Sequence, residues 1–213
     1  GPEEVTAYEV GAKADVLQER LRLNLALYDS KYDEAQLGQF ISDPVLGTTI
    51  VKQNAGQARV TGGEFEATAL IGRLQLAASV GVSDGRYTKL EPGVDGVTLD
   101  SALALPKTTY SFAMDLPIAS SLGPIQIHAD YSWRDDDAGY PSDLCLCNNS
   151  YRLLNAILQL KLDRAGVTVS IWGRNLTDEH YWAQTVDSGP VTNAIPGDPR
   201  TFGVSIGYKF GSQ

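Results

Sequence analysis

Ten residues near the C-terminus, Thr201 to Phe210, alternate without a break. Phe202, Val204, Ile206, Tyr208 and Phe210 share one face, and Thr201, Gly203, Ser205, Gly207 and Lys209 share the other. Alternation with period two is the mark of a strand. A strand in a soluble sandwich usually runs about four to eight residues. A tilted strand needs about nine to eleven to cross a bilayer. The apolar face here ends in aromatics, and the opposite face is small and polar. That is the pattern of an outer-membrane barrel strand with lipid outside and a wet lumen inside.

The same period recurs in eight earlier segments. Tyr8 to Val16, Leu21 to Leu27, Phe65 to Ile71 and Leu74 to Val82 each carry an apolar face. So do Tyr110 to Ile118, Ile125 to Trp133, Leu154 to Leu162 and Val167 to Ile171. The charges of these segments fall on the other face: Lys13, Asp15, Arg20, Arg22, Glu64, Glu66, Asp115, Asp130, Arg134, Lys161 and Arg174. A Lys or Arg facing the bilayer midplane costs roughly 2–4 kcal/mol, so this segregation is what lipid on one side selects. The apolar faces of the second and fourth segments end at Asp29 and Asp84, where the hydrocarbon band is expected to end.

The connections alternate in length. Short links follow the first, third, fifth and seventh segments, at Gln18, Gly72-Arg73, Ala119 to Gly123 and Asp163 to Gly166. Long ones follow the second, fourth, sixth and eighth. Short periplasmic turns and long extracellular loops are the rule for such barrels, so the even segments run outward and the ninth ends in the periplasm. The connection after the second reads as an extended hairpin above the membrane, turning near Pro44 to Gly47. An odd count of nine leaves two open sheet edges, which lipid does not satisfy. The segments therefore read as the C-terminal part of a larger barrel, with residues expected upstream.

Composition sets the exclusions. A net charge of −9 argues against nucleic acid and anionic lipid as partners. No apolar run approaches the eighteen or so residues of a membrane helix, which says nothing about a barrel. The two cysteines stand together as Cys145-Leu146-Cys147. No second pair or His cluster completes a zinc site, and a local disulfide and two free thiols both remain open. No metal or cofactor is expected. GxSxG, HExxH, P-loop and dinucleotide fingerprints are absent, so an enzyme is not expected.

Several motifs resemble TonB-dependent outer-membrane receptors. Tyr8-Glu9-Val10-Gly11-Ala12-Lys13 is similar to their "YExGxK" strand. Asn54-Ala55-Gly56 followed by Gly62-Gly63-Glu64-Phe65-Glu66 is similar to "NAG…GxExE". Asn175-Leu176-Thr177-Asp178 with Tyr181 resembles "NLTDxxY", and Gly197-Asp198-Pro199-Arg200-Thr201-Phe202 through Phe210 resembles "GxPRTF…YxF". The chain runs past the family's terminal Phe as Gly211-Ser212-Gln213. The resemblance implies an all-β fold, an antiparallel transmembrane β-barrel. Residues 1–213 supply about nine strands, 14 to 22 of a 22-stranded barrel with a plugged lumen, and the plug itself lies outside this chain. It implies a bacterial outer-membrane receptor, surrounded by outer-membrane lipid and coupled to TonB through the plug. Its cargo is a scarce ligand such as a ferric siderophore, a cobalamin or a carbohydrate.

Binding is then expected in four outer loops, roughly residues 33–53, 86–106, 135–150 and 183–199. Tyr87, Arg134, Asp135, Asp136, Asp137, Tyr140, Tyr181 and Trp182 are the candidate contacts. Each has a plainer reading. Asp135 to Asp137 read as a Ca²⁺ site or a solvated loop mouth. Arg134 reads as an anion guide or the partner of a strand carboxylate. The aromatics, Tyr151 included, read as stacking platforms or an interfacial belt. His128 reads as a ligand, a pH sensor or a structural side chain. Two competing architectures are a self-contained small outer-membrane barrel, acting as a pore or structural protein, and a soluble β-barrel around an apolar ligand.

Overall fold

A computed structural model describes residues 1–43, 47–94, 97–99, 103, 105–136, 150–162, 165–187 and 192–210. Nine strands form one antiparallel sheet in chain order: β1 (Glu4–Val16), β2 (Leu21–Asp43), β3 (Gly47–Ile71), β4 (Leu74–Leu90), β5 (Thr108–Ile118), β6 (Ile125–Arg134), β7 (Tyr151–Leu162), β8 (Val167–Arg174) and β11 (Thr201–Tyr208). These are the nine alternating segments of the sequence; most are longer at their outer ends, and the last stops at Tyr208, two residues short of the expected Phe210. A separate hairpin, β9 (Trp182–Asp187) with β10 (Thr192–Pro196), stands between β8 and β11. Cys145 and Cys147 lie outside the described residues.

The register turns nine local alternations into two continuous faces. Partners in an antiparallel pair point the same way. One row runs Ala12, Leu25, Phe65, Val80, Tyr110, Trp133 from β1 to β6. Another runs Leu116, Ile127, Leu158, Ile171, Val204 from β5 to β11. No charged residue interrupts this apolar face between the ends of the band. The other face carries paired polar groups. Arg22 Nε donates to Asp15 Oδ1 at 2.7 Å, Asn24 Nδ2 to Glu66 Oε2 at 3.2 Å, and Gln159 Nε2 to Ser170 Oγ at 3.3 Å. Ser79 and Ser111 share a hydroxyl bond at 2.8 Å, and Trp172 Nε1 donates to Ser205 Oγ at 3.0 Å.

Among the described residues, the sheet buries no large side chain completely. Phe202 is 78% exposed, and Val10, Leu27, Phe112 and Ile206 are exposed too. Folding in water hides such surface, whereas hydrocarbon is content with it. At the outer end of the band, Tyr110 stacks on Trp133, with ring centroids 5.0 Å apart, and on Tyr131 at 6.2 Å. These rings form an aromatic girdle of the kind found at membrane interfaces.

Local chemistry sets the ends of the strands. Gly72 opens the two-residue turn between β3 and β4 with φ of 62°, the positive φ that a tight hairpin requires. At the outer side β2 and β3 keep pairing through Asp43↔Gly47, the expected extended hairpin. Above the band its outward charges are neutralised in pairs, Arg59 with Asp29 and Arg86 with Asp84. Among the described residues, the one compact apolar core lies here, on the other face. Ala35, Ala58 and Tyr87 pack with Tyr32, Leu90, Val97 and Leu103. The β4–β5 connection is drawn over this core by a bond from Leu103 N–H to Gly85 O at 2.9 Å.

The two faces make opposite predictions for charge. Leu25→Arg, on the apolar face, is expected to destabilise the protein in a bilayer by roughly 2–4 kcal/mol. Ala77→Arg, one strand position off that face, is expected to cost far less. Urea unfolding in liposomes measures both, and equal losses would contradict the assignment of faces.

Candidate functional site

The β2–β3 ribbon, the β4–β5 connection and the β9–β10 hairpin lie beyond the outer ends of the main strands, and the predicted contact residues divide between two places there. Tyr87 stands apart from the rest. It is on β4, 9% exposed, and its ring belongs to the small core just described. That packing holds the β4–β5 connection in place and leaves little of the ring to offer a ligand.

The second place is the outer end of β6, β7 and β8. Arg134 ends β6 and pairs in register with Tyr151 on β7. Tyr151 stacks on Tyr181 with centroids 4.3 Å apart. Arg134, Tyr151 and Tyr181 thus come together on the polar side. Asp135 follows immediately, its N–H bound to Thr108 O at 2.9 Å, and its Oδ1 accepts the N–H of Asp136 at 3.0 Å. Asp136 is exposed. Trp182 opens β9 opposite Pro196 and is half-buried. Asp137 and Tyr140 lie outside the described residues. Among the described residues, no three His, Cys, Asp or Glu side chains converge to hold a metal ion.

What organises this end is a residue that pattern reading placed in a motif without a role. Asn175 is 3% exposed, with a left-handed φ of 48°. Its Nδ2 donates to Glu179 O at 2.8 Å and to Asp198 O at 3.0 Å, while its Oδ1 accepts the N–H of Glu179 at 2.9 Å. An amide side chain that uses donors and acceptor at once replaces backbone pairing where the strand stops. It ties the start of the outer segment to its end. Arg200 bridges Asp178 at 3.2 Å and Arg152 approaches Glu179 at 3.7 Å, bracing the same turn. Gly197 completes the closure. Its N–H bonds to Tyr181 O at 2.8 Å, and a β-carbon there would fall inside the Tyr181 ring. Burial raises the Tyr181 phenol above its ordinary pKa, so the ring stays neutral and hydrogen-bonding.

An antiparallel sheet with one lipid-type face, a polar inner wall and long outer connections defines the class: part of a transmembrane β-barrel. Residues 1–176 match the family model described as TonB dependent receptor-like, beta-barrel. The chain belongs to that family. Its fold is similar to the ferric yersiniabactin uptake receptor FyuA from Yersinia pestis (TM-score 0.77, 19% identity, 96% of this chain and 29% of that one). It is also similar to the ferric-catecholate import receptor Fiu from E. coli K12 (0.71, 20%, 97% and 27%) and to the copper transporter OprC (0.72, 18%, 96% and 31%). The chain therefore spans under a third of each of these structures. The family is one of transport receptors rather than enzymes.

If the Tyr181–Gly197 contact closes the outer segment, Gly197→Val displaces the ring and frees the hairpin. Limited proteolysis should then cut within residues 182–196 at least several times faster than in the wild type. Cleavage of the β1–β2 turn should not change.

Proposed function

We propose that this chain supplies barrel strands and extracellular loops to an outer-membrane receptor that takes up a scarce ligand at the expense of TonB-coupled energy. The apolar face, continuous through nine registered strands, carries this reading. Such a face is stable only against lipid, and the outer edges of β1 and β11 must be paired within that lipid. Further strands of the same barrel satisfy both edges. Residues 1–213 then act as the C-terminal portion of the barrel. A plug domain outside them occupies the lumen and meets TonB in the periplasm.

Several similar structures are described as receptors for ferric siderophores. A ferric siderophore is accordingly the first ligand class to test, with cobalamin and carbohydrate next. First contact falls to the outer end of β6 to β8: Arg134, Asp135, Asp136 and Trp182, with Asp137 and Tyr140 from the adjoining loop. Tyr181 and Tyr87 contribute mainly by holding their loops in shape. Binding there and release through the plug make the chain a transport component with no chemical step of its own.

The test is uptake by cells carrying the complete receptor, with and without a functional TonB, across a panel of ferric siderophores, cobalamin and carbohydrates. Uptake of one class that vanishes without TonB supports the reading. An intact mass from outer membranes equal to these 213 residues alone would overturn it. Trp182→Ala and Asp136→Ala are each expected to weaken binding of that ligand about fivefold or more, with the amount of assembled barrel unchanged.

A further inference from the structure

A row of hydrogen-bonding side chains crosses the polar wall from mid-strand to the base of the last outer segment. It begins on β5, where Asp115 Oδ1 accepts from His128 Nδ1 at 2.9 Å. The other ring nitrogen, Nε2, lies 3.5 Å from Asp130 Oδ1. Asp130 Oδ2 accepts from Asn155 Nδ2 at 2.8 Å, and Asn155 Oδ1 accepts the N–H of Asn175 at 3.0 Å. Asn175 in turn holds Glu179 and Asp198. Asp130, Asn155 and Asn175 each use both ends of one polar group, so a shift in one member is passed to the next.

The row contains one imidazole, the side chain whose charge changes in mildly acidic to neutral water. Its side chain is 36% exposed. It borders a cavity of about 320 Å³ shared with Asp130, Asn155, Trp172 and Arg174. The groups around the ring are Asp115 from β5, Asp130 from its own strand, uncharged Asn155 and Ile157 from β7, and Arg174 from β8. Arg174 stands over the Trp172 ring, 5.8 Å from its centroid. The two carboxylates flank the ring directly. As imidazolium, His128 donates from Nδ1 to Asp115 and holds its positive charge 3.5 Å from Asp130 Oδ1, close enough to attract that carboxylate. As neutral imidazole, it donates from Nδ1 to Asp115 and turns a lone pair toward Asp130 Oδ1. Two acceptors then face each other, which costs free energy in a partly desolvated wall. Asp130 relieves this by turning away, and Asn155 loses the partner that orients it toward Asn175.

We propose that His128 is a proton-controlled latch on the outer segment at residues 175–200. The charged ring draws the row tight and holds the base of that segment, and the neutral ring lets it loosen. The inference rests on the receptor reading in taking the segment as extracellular and in taking water to reach His128 between the wall and the plug. It makes His128, Asp130 and Asn155 positioning residues, which act on the ligand end of the protein through Asn175.

The experiment is amide hydrogen exchange on the complete receptor in nanodiscs without ligand, at about pH 5.5 and about pH 8, corrected for intrinsic exchange. In the wild type, amides of residues 175–182 and 193–198 are expected to be at least about fivefold better protected at the acid pH, the size of one net hydrogen bond. In His128→Gln that pH dependence disappears while β6 keeps its protection, showing that the strand is intact. In Asn155→Ala the same amides exchange faster at both pH values. A wild type without pH dependence, or a His128→Gln variant that keeps it, overturns the proposal. An unchanged loop in Asn155→Ala overturns it as well. Since no ligand is present, a failure of the uptake reading shows separately, as absent TonB-dependent uptake with the latch intact.

Discussion

Everything in this structure follows from the need to pair backbone amides where no water reaches them. An unpaired N–H or C=O in hydrocarbon costs several kcal/mol, and a sheet meets that need only while its ladder is unbroken. Nine strands pair as neighbours with no crossover, so the ladder runs from β1 to β11 through the apolar band. The ladder also fixes which side chains share a face. A one-residue slip between β4 and β5 would carry Tyr110, Phe112 and Met114 to the wet side and place Asp115 in lipid. The apolar residues thus specify register as much as they satisfy the solvent.

That division of labour leaves the sheet without a core of its own. Its apolar side chains are covered by lipid and its polar ones by each other, by water, and by whatever fills the lumen. Among the described residues, compact packing appears above the band, where Ala35, Ala58 and Tyr87 support the extended strands. There the chain returns to water and again needs apolar contacts to hold its shape. The mixed charges on the outward side of the same region, paired as Arg59–Asp29 and Arg86–Asp84, mark the height at which hydrocarbon gives way to headgroups.

The nine main strands were legible in the sequence because their period is enforced twice, by lipid on one side and water on the other. Their outer extensions were partly legible. The β2–β3 ribbon announced itself through the turn near Pro44, whereas β9 and β10 did not. Trp182-Ala183-Gln184-Thr185-Val186-Asp187 carries no apolar alternation in the sequence, and Pro196 reads as a strand breaker. That proline is tolerated because it ends a strand at an irregular position and no further strand demands its missing N–H. Tyr87 was read as a ligand contact because its position past the band suggested a loop. The bulge near Ala58 and the returning Leu103 that bury it are tertiary facts, with no local signature.

The candidate site was less legible than the fold, and Asn175 shows why. Its segment stood out as a motif, yet a motif does not state whether it touches a ligand or holds a turn. The geometry answers: the amide is consumed by Glu179 and Asp198, and Tyr181 is consumed by Tyr151 and Gly197. The motif residues Asn175, Tyr181 and Gly197 are here the ones that close the last outer segment at its base. The proposed ligand contacts, Asp136 and Trp182 among them, carry no such pattern. A barrel of this kind therefore advertises its architecture in its sequence and hides its cargo. The connection between the two runs through the few polar residues, from His128 to Asn175, that belong to the wall at one end and to the loop at the other.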